Sequence, residues 1–426
     1  MKPISLAEIR DVLNARPLAP LPSPTPMATS IGSDTRTLKP RGVYFAIRGR
    51  TDGHAYLPQA AAAGAIAAVI DSDPPAELPN LHMLRVPDAR RAMGRIAAHI
   101  RRQLTGKVVA VAGSNGKTST KFMIHSALRR RLRGSCAPKS HNNDIGVPWA
   151  IFDADPTDDY LVLEIGTNHP GEVANLTQIA TPDVAVITNC SAEHLEFLGD
   201  LMGVRKENAS ICQGLRPNGL LVVNGDDPQL LEAVAQYKPQ TVTFGFNTTN
   251  QFHAEDIRCD PRGTRFRVNG RWDVIVPALG RHSALNALAA MVVARRLNLT
   301  EEEAIVTQEI IPPEPVAPRN PAEPVVPPGL REPPGPVGLL EPLKLPAEAV
   351  DVLAAQPVCG YRPLGAPAPE PTALAAMALL AAGRTAPAAA ALDWLADRQQ
   401  ADGSLRAEAS AEKATWPTGW AMLAWR

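Results

Sequence analysis

Short runs in which nearly every position is apolar recur through the first three hundred residues. They are Val43–Ile47 (VYFAI), Ala65–Ile70 (AIAAVI), Val108–Ala112 (VVAVA), Tyr160–Leu163 (YLVL), Val184–Ile187 (VAVI) and Leu220–Val223 (LLVV). Runs this short, with no polar face, suit strands of a parallel sheet buried on both sides. The intervals are long enough for crossover helices, and an Ala-rich helical stretch lies between the first two runs. The pattern predicts an α/β fold in two units, about 1–103 and 104–305. Prolines 17, 20, 22, 24 and 26 set a short opening helix apart from the first apolar run. Beyond residue 305 the pattern stops: thirteen prolines fall between Pro312 and Pro346. So dense a run sustains neither a helix nor a central strand, so 306–370 reads as a linker of polyproline II character. From Thr372 the chain is rich in Ala and Leu, and 371–426 reads as a short α-helical segment.

Composition narrows the function classes. A chain of 426 residues accommodates roughly three domains at about 150 residues each. Lys and Arg together number 43 and so do Asp and Glu, so the chain lacks the basic field that nucleic acid or an anionic membrane needs. Aromatic residues make up 4%, which argues against a platform for stacked bases. The five cysteines (Cys136, Cys190, Cys212, Cys259, Cys359) are odd in number, widely spaced and without a C-x-x-C pair. That disfavours a zinc ribbon or a disulfide framework and fits a reducing compartment. Charges at Lys2, Glu8, Arg10 and Asp11 leave no room for a signal peptide, and Ala60–Ile70 is too short an apolar run to span a bilayer. A soluble, cytoplasmic protein is expected.

The sharpest chemical signal is VVAVAGSNGKTSTKFM at 108–123. A buried strand enters Gly113-Ser114-Asn115-Gly116-Lys117-Thr118-Ser119, and a helix comes after it. The glycines let backbone N–H groups converge on phosphate oxygens, and the helix N-terminus adds positive potential. Lys117 would reach the β- and γ-phosphates of ATP, and the Thr118 hydroxyl would hold Mg²⁺. Val111 stands where loops of this kind carry their first glycine. Glu164 closes another apolar run, at the carboxyl edge where open α/β sheets bind ligands, and offers a hard oxygen donor to Mg²⁺. Asn189 and His194 come after a third run.

Taken together, these residues resemble the Mur ligase family, the amide ligases of peptidoglycan precursor synthesis. The resemblance is carried in order by Ser33-Asp34-Thr35-Arg36, Tyr44–Gly49, Asp52-Gly53-His54, the phosphate loop, and His141-Asn142-Asn143-Asp144-Ile145-Gly146-Val147-Pro148. It continues through Glu164–Glu172, His194-Leu195-Glu196, Asn224–Asp227 and Gly280–Ala290, over about residues 30–300. It implies an ATP-dependent ligase that joins D-Ala-D-Ala to UDP-MurNAc-tripeptide through an acyl phosphate. In that reading Lys117, Glu164 and His194 are catalytic, and Mg²⁺ is held by Thr118, Glu164 and His194. Asn286 lies against the adenine, Asn142 and Asn143 lie near substrate and phosphates, and Ser33, Asp34 and Arg36 meet the uridine end.

The chain departs from the family pattern in three places. Asn208 takes the position of a lysine that the family carbamoylates to hold a second Mg²⁺, and Lys206, two residues away, points to a different helix face. Ser283 replaces a common Asn. The family's third, Rossmann-like domain, which takes the acceptor, is not expected after Thr300, where the proline segment begins. In the last segment Glu370–Leu380, Leu392–Leu405 and Trp416–Trp425 resemble weakly a repeat of squalene-cyclase and prenyltransferase toroids, and equally a plain Ala-rich helical pair. No Asp-rich acid motif accompanies them. Two further readings therefore stand beside the ligase: a nucleotide- and UDP-sugar-binding module without turnover, completed or not by a partner chain, and a truncated fusion.

Overall fold

The computed structural model describes residues 1–300 apart from 50, 75–77, 139 and 261–262, together with Glu303, Ala354, Thr372, Ala375, Leu379 and 384–396. The chain divides into two compact units, 1–316 and 317–426.

The first unit opens with β1 (Ile4–Ser5), α1 (Leu6–Leu13), β2 (Arg16–Pro17), β3 (Met27–Ala28), β4 (Ser30–Gly32), β5 (Gly42–Phe45), α2 (Leu57–Ala62), β6 (Ala67–Ile70), β7 (His82–Arg85) and α3 (Ala89–Gln103). Local signals set the helix ends. The Ser5 side chain accepts the Glu8 N–H at the start of α1, and Asp88 accepts the Arg91 N–H at the start of α3. The strands form a five-stranded sheet in the order β2-β7-β6-β5-β4, parallel except at β2.

A nine-stranded sheet comes next. Its strands are β8 (Lys107–Ala112), β9 (Gly134–Cys136), β10 (Tyr160–Glu164), β11 (Val184–Ile187), β12 (Leu220–Asn224), β13 (Gln240–Gly245), β14 (Phe252–Asp260), β15 (Gly263–Val268) and β16 (Trp272–Val276). The helices around it are α4 (Lys117–Leu128), α5 (Gly146–Asp153), α6 (Glu172–Ala180), α7 (Leu195–Leu198), α8 (Leu201–Ala209), α9 (Pro228–Ala235) and α10 (Arg281–Arg296). The order is β16-β15-β14-β13-β12-β11-β8-β10-β9, with β9 to β14 parallel and β14 to β16 antiparallel.

The apolar runs read from the sequence lie in β5, β6, β8, β10, β11 and β12. Their alternate residues serve two cores. Val108, Ala110 and Ala112 pack with Met93, Ile96 and Ile151 from α3 and α5, while Val109 and Val111 pack with Ile124 and Leu288 from α4 and α10. The first of these cores also takes Val43, Phe45, Val69 and Leu84 from the five-stranded sheet, so α3 is the layer both sheets share. Each of the Val, Leu, Ile, Phe and Met side chains among these contributes about 1.5–3 kcal/mol on burial. The antiparallel extension β14–β16 does not stand out as all-apolar runs, because its strands are only half buried and alternate, as in the exposed and buried positions of β15.

In the second unit α11 (Thr385–Ala396) is described, with Leu379 and Ala388 buried against Ala354. The proline-rich linker predicted at 306–370, Ala354 apart, and most of the toroid-like segment lie outside the described residues.

Candidate functional site

The parallel register places the ends of β10, β8 and β11 side by side, Glu164 opposite Val111 and Ile187 opposite Ala112. The phosphate loop thus leaves the sheet between Glu164 and the Thr188–His194 segment. Gly113 and Gly116 are in the left-handed half of backbone space, at φ 127° and 80°. A Cβ at Gly113 would fall 2.1 Å from Thr188 Oγ1, and one at Gly116 2.6 Å from Asn286 Oδ1, so both glycines are required by space as well as by torsion.

The loop is fastened from one side. Thr188 Oγ1 donates to Asn115 O (2.7 Å), and Asn189 Oδ1 accepts the Asn115 N–H (2.9 Å). Ser191 N–H donates to Ser114 Oγ (2.9 Å), and Asn115 Nδ2 donates to Ser191 Oγ (2.9 Å). Lys117, at the first position of α4, arches back and donates to the carbonyls of Gly113 and Ser114. Its ammonium therefore sits inside the ring of backbone groups that would surround a phosphate.

Glu164 is 1% exposed, and three donors meet it. Thr118 Oγ1 donates to Oε2 (2.9 Å), Asn142 Nδ2 donates to Oε1 (3.1 Å), and Lys121 Nζ lies 3.2 Å from Oε2. Sequence reasoning alone does not single out Lys121, Thr188 or Ser191. Lys121 falls one helical turn beyond Lys117, on the same face of α4, which is the spacing that could signal it.

Asn286, another expected site residue, is buried in α10 against Gly116. Ser119 is exposed on α4. Asn143 caps the start of α5, its Oδ1 accepting the Ile145 and Gly146 N–H groups. His194 is half-exposed and begins α7 at φ 49°. Asn208 is buried in α8, its amide donating to Val204 O (3.0 Å), while Lys206 is exposed. Ser283 is likewise buried and donates to Leu279 O. On the five-stranded sheet Ser33, Asp34 and Arg36 lie just beyond β4. Arg36 pairs with Asp34 (2.6 Å), and this hydrogen bond holds the Asp34 carboxyl below the usual range. Nearby His54 is buried between Asp52 (2.6 Å) and Asp71 (3.4 Å).

The donor set fits Mg²⁺ of the kind shared with a nucleotide. Thr118 Oγ1 and Glu164 Oε2 are hard oxygens side by side at the phosphate loop, and such ions are held by one or two protein groups plus phosphates and water. Among the described residues no cluster of three His, Cys, Asp or Glu side chains could hold a metal by itself.

A parallel sheet with a phosphate loop at its carboxyl edge, flanked by a buried carboxylate, is an architecture of the α/β nucleotide-binding class. Comparison with known proteins specifies it. Residues 111–294 match the Mur ligase middle domain. The chain is 34% identical over 276 residues to the UDP-N-acetylmuramoyl-tripeptide–D-alanyl-D-alanine ligase of Bacillus subtilis, covering 64% of this chain and 60% of that protein. It is 35% identical over 303 residues to the Escherichia coli enzyme of the same name, covering 70% and 66%. Among solved structures, MurF from Acinetobacter baumannii superposes with a TM-score of 0.65 at 27% identity, over 72% of this chain and 67% of that one. MurF from Thermotoga maritima in complex with ADP gives 0.59 at 26% identity, over 65% of each. The chain belongs to the Mur ligase family. It spans 60–66% of the length of these two curated relatives.

Proposed function

We propose that the chain is an ATP-dependent amide ligase of peptidoglycan precursor synthesis, joining D-Ala-D-Ala to UDP-MurNAc-tripeptide. The observation that carries this reading is the junction of Lys117, Thr118 and Glu164 at one sheet edge, in a chain about a third identical to ligases of that name. The ADP complex of a structural neighbour supports nucleotide binding by this chain. Residues 1–103 are assigned to the UDP-sugar, with Ser33, Asp34 and Arg36 at its uridine end. Residues 104–305 are assigned to ATP, with Asn286 at the adenine and Asn142 and Asn143 toward the substrate and phosphates. The nucleotide substrates and the unpaired Cys136, Cys190, Cys212 and Cys259 support a cytoplasmic location; no described helix is long and apolar enough to cross a membrane.

In the proposed reaction a carboxylate oxygen of the tripeptide attacks the γ-phosphorus of ATP, and ADP leaves. The amine of D-Ala-D-Ala then adds to the acyl phosphate, loses a proton, and expels inorganic phosphate as the amide forms. Lys117, released from Gly113 O and Ser114 O, tracks the transferring phosphoryl group, and the loop N–H groups hold the phosphates in line. Mg²⁺, with Thr118, Glu164 and His194 to hold it, would supply further positive charge at the phosphates.

The test is phosphate release by the full chain with Mg-ATP and UDP-MurNAc-tripeptide, with and without D-Ala-D-Ala. Release that depends on the dipeptide is expected, and Lys117→Ala should lower it by about 10²–10³-fold, the scale of a lost transition-state donor. ATP binding with no release would overturn the ligase reading and leave a binding module. Asn208, tied by its amide to Val204 in place of a metal-binding lysine, is the observation favouring that second reading.

A further inference from the structure

Lys121 is a buried cation at the phosphate site that the ligase reading does not use. Its side chain is fully buried, Glu164's is 2% exposed, and the ammonium lies 3.2 Å from Oε2. A buried ammonium this close to a carboxylate is retained only because each charge compensates the other. Thr118 Oγ1 donates to the same oxygen and Asn142 Nδ2 to the other, so three donors meet the carboxylate before any ligand arrives. Lys121 Nζ also lies 4.6 Å from the centre of the Phe122 ring, whose face favours a cation there.

This arrangement has a consequence for divalent cations. A dication at Glu164 would have to share the carboxylate with an ammonium in a poorly solvated site, and the two positive charges repel. Phosphates bound in the Gly113–Thr118 loop reverse that balance by adding negative charge on the far side of the cation.

We propose that Lys121 makes divalent-cation binding conditional on nucleotide. It is a positioning residue that keeps Glu164 aimed at Thr118 and neutralised in the free protein, and yields part of the carboxylate to the metal only when phosphates are present. The inference rests on the reading of Glu164 as a metal ligand and adds an order of assembly to it.

Direct titration of the full chain with Mn²⁺, monitored by the loss of the free ion's electron paramagnetic resonance signal with and without ADP, tests both. In the wild type, Mn²⁺ should bind far more tightly with ADP than without. Lys121→Met and Lys121→Gln should tighten Mn²⁺ binding to the nucleotide-free protein by about tenfold or more, the scale on which groups behind a ligand tune metal affinity. Lys121→Arg should restore wild-type behaviour. The glutamine variant keeps a donor toward Oε2, so it reads the charge alone should the methionine variant not fold. Unchanged or weaker Mn²⁺ binding in the neutral variants would overturn the inference. Glu164→Gln is the separating arm: if it leaves Mn²⁺ affinity in the presence of ADP unchanged, the metal-ligand reading itself fails. If it abolishes that affinity while the Lys121 variants change nothing, only the role of Lys121 falls.

Discussion

The nine-stranded sheet carries a buried carboxylate–cation pair near each of its two edges, and the two pairs are built for different ends. At the amino edge, just before β11, Asp183 meets Arg101 (3.0 Å), whose side chain is fully buried. Arg101 also donates to the carbonyls of Ala180 (2.8 Å), Thr181 (3.1 Å) and Leu104 (3.4 Å). Asp183 in turn accepts the Val108 N–H (3.0 Å) and faces Lys107 and Arg216. Arg101 ties α3 to the backbone ahead of β11, and Asp183 ties that backbone to Val108 of β8, with the partly exposed Lys107 and Arg216 beside it. At the carboxyl edge the donors to Glu164, among the described residues, are side chains from the phosphate-loop helix and from the Asn142 turn. Arg101 and its backbone partners cannot part without opening the fold, whereas the side chains around Glu164 can exchange for a ligand. A buried ion pair by itself therefore says nothing about function; the mobility of its partners does.

The largest expected effect breaks the structural pair. Arg101→Met leaves Asp183 without its buried partner and three carbonyls without a donor, and should cost about 3–5 kcal/mol of stability. Denaturant unfolding reads this directly, and ADP affinity of the protein that remains folded should not change. Burial pushes Arg101 down to about 10, with the nearby charge of Arg216 adding to it and Asp183 opposing it. The guanidinium thus stays charged at neutral pH, and its loss removes a full charge. Next comes Glu164→Gln, which keeps shape and hydrogen bonding at Oε1 but removes the charge. Dipeptide-dependent phosphate release should fall about 10²-fold, and the unfolding midpoint should fall as well, because the Lys121 ammonium loses its buried counter-charge. The two pairs part in the functional readout, so a loss of ADP affinity in folded Arg101→Met would abolish the distinction between them.

A smaller effect belongs to Gly116→Ala. The φ of 80° costs about 1–3 kcal/mol for a residue with a side chain, and the new Cβ would press on Asn286 Oδ1 at 2.6 Å. Weaker ADP binding by isothermal calorimetry, with a modest loss of stability, is the expected outcome.

These cases mark how far the sequence can be read. The parallel core is legible because its strands are apolar on both faces, as in Val108–Ala112. β14–β16 are not, because a half-buried strand such as Phe252–Asp260 mixes exposed charges with its few buried positions. In the site, Gly113–Thr118 forms a contiguous motif whose torsions dictate its glycines. Lys121, Thr188 and Ser191 have no such signature. Their roles arise when α4, β10 and the segment after β11 converge, and a lysine on a helix otherwise reads as a solvated face. The Asp183–Arg101 pair is invisible in the sequence for the same reason, since its members lie 82 residues apart.

The smallest predicted effect sharpens the comparison through pH. Burial acts to raise the Asp183 carboxyl, but the Val108 N–H and the charges of Arg216, Lys107 and Arg101 outweigh it, and its folded value lies below the ordinary one. A carboxyl lowered on folding binds fewer protons in the folded state. It therefore contributes stability that is fully present above the unfolded value of about 3.9 and is lost as pH falls through the folded value. The difference in unfolding midpoint between wild type and Asp183→Asn should accordingly be constant from pH 7 to pH 5 and shrink below about pH 4. The asparagine retains one acceptor for Val108 but cannot answer three cations, so the gap at neutral pH measures their joint attraction. A gap that stays constant down to pH 3 would mean that folding does not lower the Asp183 carboxyl, and that the surrounding cations give it no net attraction.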